Sequence, residues 1–209
     1  MHYSPRGLTT ALDDALAALR AGQGVLVADD ATRENEVDFV FAAETLTEAQ
    51  MALMIRHGSG IVCPVITADC AARMGLAPMV PVNGTPFATP FTVSVEAAQG
   101  VTTGVSAADR CRTIAALTAP DAVKGDLIQP GHVFPLVARP EGLAVRRGHT
   151  EATLALMSLA GLRPAGVLCE AMTDDGHMIS LSDVPGFAPA KGMPLVTIAQ
   201  IEAAWLTRA

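Results

Sequence analysis

Short apolar runs alternate with amphipathic stretches along the chain. In "TTALDDALAALRAG", Leu12, Leu16 and Leu19 recur at helical spacing, with Thr10 as a cap and Gly22 as a stop. "GVLVA" reads as a short buried strand and "DFVFAAE" as a second. A helix is predicted in "TEAQMALMIRHG", from a Thr47 cap to a Gly58 stop, and "GIVCPVI" is strand-like. Pro78 to Pro90 holds four prolines and Gly84, which predicts a loop because proline fixes φ and lacks an amide donor. "FTVSVEA" alternates as a strand does. "SAADRCRTIAALTAP" is a helix with Ser106 and Asp109 at capping-box spacing and Pro120 as its end. A second loop is expected from Asp121 to Gly131. "HVFPLVA" and "AGVLCEAM" follow as strands, with the helix "TEATLALMSLAG" between them. Asp174-Asp175-Gly176 is a turn signal, and "LVTI" and the helix "IAQIEAAWLTR" close the chain. No repeat or linker interrupts this alternation. It describes a single α/β domain over residues 1–209, and the element order alone leaves a parallel or a mixed sheet open.

Composition narrows the function classes. Of 209 residues, 50% are hydrophobic and 17% charged, enough for a well-filled core. The net charge of -7 argues against general affinity for nucleic acid or an anionic membrane, and 4% aromatics leave little for base stacking. No apolar run approaches membrane-spanning length, and "MHYSPRGLTT" lacks the pattern of a signal peptide. Cys63, Cys70, Cys111 and Cys169 form no C-x-x-C pair and read as reduced thiols of a cytoplasmic protein rather than a zinc site.

Against that background "RENEVD" stands out. Extended backbone would line Glu34, Glu36 and Asp38 along one side, with Arg33, Asn35 and Val37 on the other. Three carboxylates so close repel one another and call for a cation, a proton or water. Hard oxygen ligands suit magnesium or manganese, and the remaining carboxylates would be free for proton transfer. A solvated loop between two strands is the plain alternative. "RRGHTEAT" places Arg146 and Arg147 just before a helix start, where free amides and a guanidinium can hold phosphate, although many capped helices begin this way without a ligand. His132 and His149 each follow a glycine at a loop edge, where the backbone can approach a ligand closely, and Glu170 ends the apolar run "GVLC". His57 and His177 receive no role.

Seven blocks occur in order: "RENE-D", "HGSGIVC", "FTVSVEA", "GVTTGVSAADR", "PGHVFPL", "GHTEAT" and "LAGLRPAGVLCE". From about Leu8 to the last helix, the chain closely resembles the 3,4-dihydroxy-2-butanone-4-phosphate synthases of riboflavin biosynthesis. The resemblance implies a layered α/β/α sandwich with a mixed sheet, in the stand-alone form without a GTP cyclohydrolase domain. It implies a homodimer that converts ribulose 5-phosphate into 3,4-dihydroxy-2-butanone 4-phosphate and formate with Mg2+, Mn2+ serving as a substitute. By motif, Glu34 and His149 would hold the metal. Arg33, Glu34, Asp38, Arg146, Arg147, Gly148, His149, Thr150 and Glu170 would contact substrate. Glu36, Asp38, His132 and Glu170 are candidates for the proton transfers, with Cys63 in a matching block. The chemistry needs such density: a proton leaves the carbon beside the ketone, water is lost, the skeleton rearranges and formate departs.

The chain also departs from the family pattern. Val37 replaces the glycine of "RENEGD", where a positive φ or open space would exclude valine. Pro90 stands where glycine or alanine is usual, Gln129 and Ser180 replace arginines, and Ala31 and Thr32 replace acidic residues. Arg147 sits at a commonly small position. These changes keep two further readings in view: a lyase or isomerase acting on another phosphorylated sugar or ketone, and a non-catalytic sugar-phosphate-binding paralogue.

Overall fold

The computed structural model describes residues 10–207; Leu8, where the resemblance begins, and Arg208, at the end of the predicted last helix, lie outside them. The strands are β1 (Val25–Ala28), β2 (Val37–Ala42), β3 (Cys63–Ile66), β4 (Val95–Ala97), β5 (Leu127–Val133), β6 (Leu136–Val137), β7 (Gly166–Glu170) and β8 (Leu195–Thr197). The helices are α1 (Leu12–Arg20), α2 (Glu48–His57), α3 (Ala68–Met74), α4 (Ala107–Thr118), α5 (His149–Ala160) and α6 (Ile198–Leu206). The main sheet runs β6-β3-β7-β2-β1-β8, and β4 and β5 form a separate pair. β1–β2, β2–β7 and β3–β7 are antiparallel, whereas β1–β8 and β3–β6 are parallel, so the sheet is mixed.

Alternation along the strands divides the core into two layers. Val25, Val27, Val40, Val65 and Leu168 face α1, α5 and α6. Leu26, Val37, Phe39, Phe41 and Val167 face α2, α3, α4 and the small sheet. Both faces are covered, which is why β2 is buried at every position. Phe39 is wholly buried, its ring 5.9 Å from that of Phe187. Truncating it to alanine would cost about 3–5 kcal/mol.

Local signals set most helix ends. Thr47 and Gln50 cap α2 reciprocally, and Thr197 and Gln200 do the same for α6. Ser106 caps α4, but the Asp109 carboxylate turns away from the cap to accept from Thr102 and Gly104. Thr10 does not cap α1; its hydroxyl accepts from Leu195 N instead.

The differences from expectation have physical causes. α3 is two turns long, too short to display a periodicity, although Thr67 caps it and Gly75 ends it at φ 65°. The expected loop Asp121–Gly131 yields to β5 from Leu127, and Pro130 is tolerated because it lies in the irregularity where the register jumps from Ile128 to Val133. The expected strand at residues 132–138 breaks at Phe134-Pro135. Only Val95–Ala97 of "FTVSVEA" joins a strand; Phe91 and Thr92 make isolated bridges.

Candidate active site

The site begins where β1 runs out. Asp29 is buried and organises the turn that follows. Its Oδ1 accepts from Asp30 N at 2.7 Å, and its Oδ2 accepts from Arg33 Nη1 at 2.6 Å and Glu34 N at 3.2 Å. Asn35 adopts φ 56°, a left-handed conformation that asparagine accepts more readily than most residues, and the chain reverses into β2. Glu34 is therefore delivered by a turn and not by the extended strand expected. Glu34, Glu36 and Asp38 nonetheless line one small cavity of about 60 Å³, together with Cys63, Arg146, His149, Thr150 and Glu170. A wider groove of about 850 Å³ adjoins it and shares Thr89 and Phe91. Its walls include Ala71, Leu76, Met79 and Val82, so the chemistry belongs to the smaller cavity.

His149 is the first residue of α5 and is buried. Its Nε2 lies 3.1 Å from the Val27 carbonyl. A carbonyl only accepts, so Nε2 carries a hydrogen, and Nδ1 faces Glu34 at 3.6 Å and Asp38 at 3.8 Å. Burial lowers the His149 pKa, but the Asp38, Glu34 and Asp29 carboxylates outweigh it and raise the value to about 9. Burial raises the Glu34 carboxyl, while His149 and Arg33 bring it below its ordinary value. Asp38 is pushed up to about 7, first by burial and then by Glu170, Glu36 and Glu34, against the attraction of His149. Its Oδ1 is buried and has no partner among the described residues. Burial, with Glu34 and Glu170, also raises Glu36. The Cys63 thiol is held well above its usual range by burial and Glu170, and donates to the Ile61 carbonyl; it stays protonated at neutral pH.

Gly148 is the N-cap of α5 and offers no side chain, so no capping group occupies the first amides of the helix. A Cβ there would lie 2.5 Å from Arg146 Nη1 and 3.1 Å from Arg33 Nη2. The closeness of two guanidinium groups at an uncapped helix start makes an anion cradle. Arg146 is fixed by the buried Glu151 at 2.6 Å and by the Phe87 carbonyl, and Arg33 lies over the Phe87 ring at 4.9 Å.

Ligand atoms of Asp29, Glu34 and His149 all lie within 4.8 Å of one another. Two carboxylates and an imidazole whose Nδ1 turns inward fit a divalent cation once that nitrogen gives up its proton, and the Val27 carbonyl holds Nε2–H as a supporting contact should.

Of the expected residues, Arg33 and Gly148 flank Arg146 without lining the cavity, and Arg147 and His132 point elsewhere. Arg147 turns to α6, its Nη2 2.7 Å from Glu202, and remains exposed. His132 sits on β5 with Nδ1 2.7 Å from Glu96 and does not line the cavity. Gly131 packs closely against the β4 backbone at Val95. His57 and His177 do not line the cavity either. Asp29 went unnoticed in the sequence, and the pair Asp29-Asp30 closing an apolar run was its signal.

The departures fall mostly outside the cavity. Val37 is in β2, wholly buried on the opposite face from Asp38 among Leu26, Phe39 and Phe41. Its amide donates to the Ile179 carbonyl, and the left-handed position belongs to Asn35. Gln129 and Ser180 do not line the cavity, and Ser180 bonds Asp183. Ala31 and Thr32 are exposed in the turn. Pro90 lies between two lining residues, and its carbonyl accepts from Val137 N.

The family model described as 3,4-dihydroxy-2-butanone 4-phosphate synthase matches residues 13–204. A protein of that name from Edwardsiella ictaluri is 57% identical over 192 residues, covering 92% of this chain and 88% of the relative. One from Chromobacterium violaceum is 56% identical over 194 residues, covering 93% and 92%. A crystal structure of such a synthase in complex with two magnesium ions superposes with TM-score 0.87 at 40% identity, over 93% of this chain and 96% of that one. The synthase of Candida albicans gives 0.86 at 41% identity, over 94% and 97%. Because the match takes in the acidic turn, His149 and the start of α5 alike, this chain belongs to the 3,4-dihydroxy-2-butanone 4-phosphate synthase family.

Proposed function

We propose that this chain converts ribulose 5-phosphate into 3,4-dihydroxy-2-butanone 4-phosphate and formate, in riboflavin biosynthesis. One observation carries the reading: Glu36, Asp38 and Glu170 meet the Glu34–His149 pair in a single cavity, beside a helix start flanked by two arginines. The phosphate rests at the start of α5, against Arg146, Gly148 and Thr150. Arg33 and Glu34 meet the sugar end. Glu34 and His149 would hold a divalent cation, which would supply Lewis-acid polarisation of the substrate. Magnesium is its ordinary identity, and the imidazole donor suits manganese as a substitute.

Asp38 takes and returns protons through the unpartnered Oδ1. A carboxyl with a pKa of about 7 can do both near neutral pH. Glu36 and Glu170 supply further sites for the successive transfers. His132 and Arg147 have no part in this protomer's cavity. The kinship and the position of Val37, in the core and away from the cavity, favour the synthase over another lyase or a silent paralogue.

The reading extends to a single-domain homodimer in the cytoplasm. Exposed Ile61, Val105 and Ile128 support a surface between copies, and four free thiols support a reducing compartment.

The test is formate release from ribulose 5-phosphate. Activity should require added magnesium, disappear with a chelator and be lost in Glu34→Ala and His149→Ala. Full activity in either variant would overturn the metal assignment.

A further inference from the structure

The turn between α2 and β3, Gly58-Ser59-Gly60, has no role so far. Ser59 makes two bonds to one residue: its amide donates to the Glu170 carbonyl at 2.9 Å, and its hydroxyl donates to Glu170 Oε2 at 2.6 Å. The Ile61 amide donates to the same hydroxyl oxygen at 3.1 Å. With that lone pair filled and a carboxylate able only to accept, the hydroxyl proton is directed at Glu170. The backbone is pressed close. A Cβ at Gly58 would lie 2.7 Å from the Met54 carbonyl oxygen and 2.8 Å from both Cys169 Sγ and the Glu170 carbonyl oxygen, and Gly60 has φ 73°. From α4, Arg110 Nη1 donates to the Gly60 carbonyl at 2.7 Å.

Glu170 needs such a hold. It lies directly across from Asp38 in the β2–β7 register, where like charges repel, and a glutamate has three torsions by which to turn away. We propose that Ser59 is a positioning residue for Glu170: it fixes Oε2 so that Oε1 is presented to the substrate in the cavity. This rests on the function proposed above. The turn itself is also held by backbone bonds, Gly58 N to the Met54 carbonyl and Ser59 N to the Glu170 carbonyl, and these survive loss of the hydroxyl. Removing the hydroxyl therefore frees the carboxylate without dismantling the turn.

The experiment is steady-state formate release with magnesium for the full chain, Ser59→Ala, Ser59→Thr, Glu170→Gln and the double variant Ser59→Ala/Glu170→Gln. Ser59→Ala should lower kcat about ten- to a hundredfold, a range typical of a displaced reacting group. KM and the magnesium requirement should stay within about twofold, and Ser59→Thr should recover most of the loss. In the Glu170→Gln background, Ser59→Ala should cost nothing further, because the two act as a unit. A Ser59→Ala enzyme with wild-type kcat, or an equal loss in both backgrounds, would overturn the proposal. Should the threonine variant not fold, the double variant decides. A wild-type protein that releases no formate defeats the functional reading and this proposal with it; wild-type turnover indifferent to Ser59→Ala defeats this proposal alone.

Discussion

Asp38 and Glu170 are direct cross-strand partners in the antiparallel register of β2 and β7, so two carboxylates stand opposite each other at the edge of the buried layer. Like charges there oppose folding, and burial adds to the cost at Asp38. Asp38→Asn should therefore raise the melting temperature of the metal-free protein while lowering turnover about a hundredfold or more. The sign with pH follows from the shift. The Asp38 carboxyl titrates at 3.8 in its ordinary state and at about 7 when folded. Between those values the native state binds the extra proton, so wild-type stability falls as pH rises. The advantage of Asp38→Asn should grow from about pH 4 to pH 7 and then level off, as read by thermal melts with chelator. A constant advantage across that window would contradict the assignment.

His149 couples metal binding to a proton. Its Nδ1 is protonated near neutral pH without metal, with a pKa of about 9, and a cation must displace that proton. Magnesium or manganese affinity should rise from pH 6 toward pH 9, and saturating metal should raise the melting temperature. His149→Ala should abolish both effects; calorimetric titration at three pH values reads the first directly.

Val37→Gly restores the usual residue of the family motif, but the side chain fills the core under Phe39 and not the cavity. The change should destabilise the protein by about 2–3 kcal/mol from lost burial and added chain freedom. No gain in kcat on ribulose 5-phosphate should accompany it. Urea denaturation and formate release measure the two quantities on the same sample.

Asp109, on α4 and outside the cavity lining, gives an independent check. Thr102, through its hydroxyl and amide, and Gly104 hold its carboxyl below 3.8. A lowered carboxyl contributes stability that is present above its unfolded value and disappears as pH falls through its folded one. Asp109→Asn should thus be less stable than wild type at pH 6, and the gap should close below pH 3.8. A gap that persists in acid would point to packing instead.

Much of the fold was legible where period and punctuation agreed. The helices starting at Thr47 and Thr197 carry complete capping boxes, and the apolar strands have too few polar positions to be read otherwise. α3 was hidden because seven residues give no periodic signal, and β5 because Pro130 and Gly131 read as a break. At the site, the residue types in "RENEVD" suggested an acidic cluster; alternation does separate Asp38 from Val37, but Glu34 is brought inward by the reversal at Asn35 and not by a strand. His149 read as a loop histidine and is the first residue of α5. Ser59 and Asp29 owe their positions to contacts across the sheet and the turn, which residue spacing cannot encode.

The most direct test of the account is a carbon NMR time course of labelled ribulose 5-phosphate with purified protein and magnesium, then manganese. Formate appearing together with the four-carbon phosphate, and only with metal, is the predicted result. Unchanged substrate with both metals, from protein shown to be folded, would contradict it.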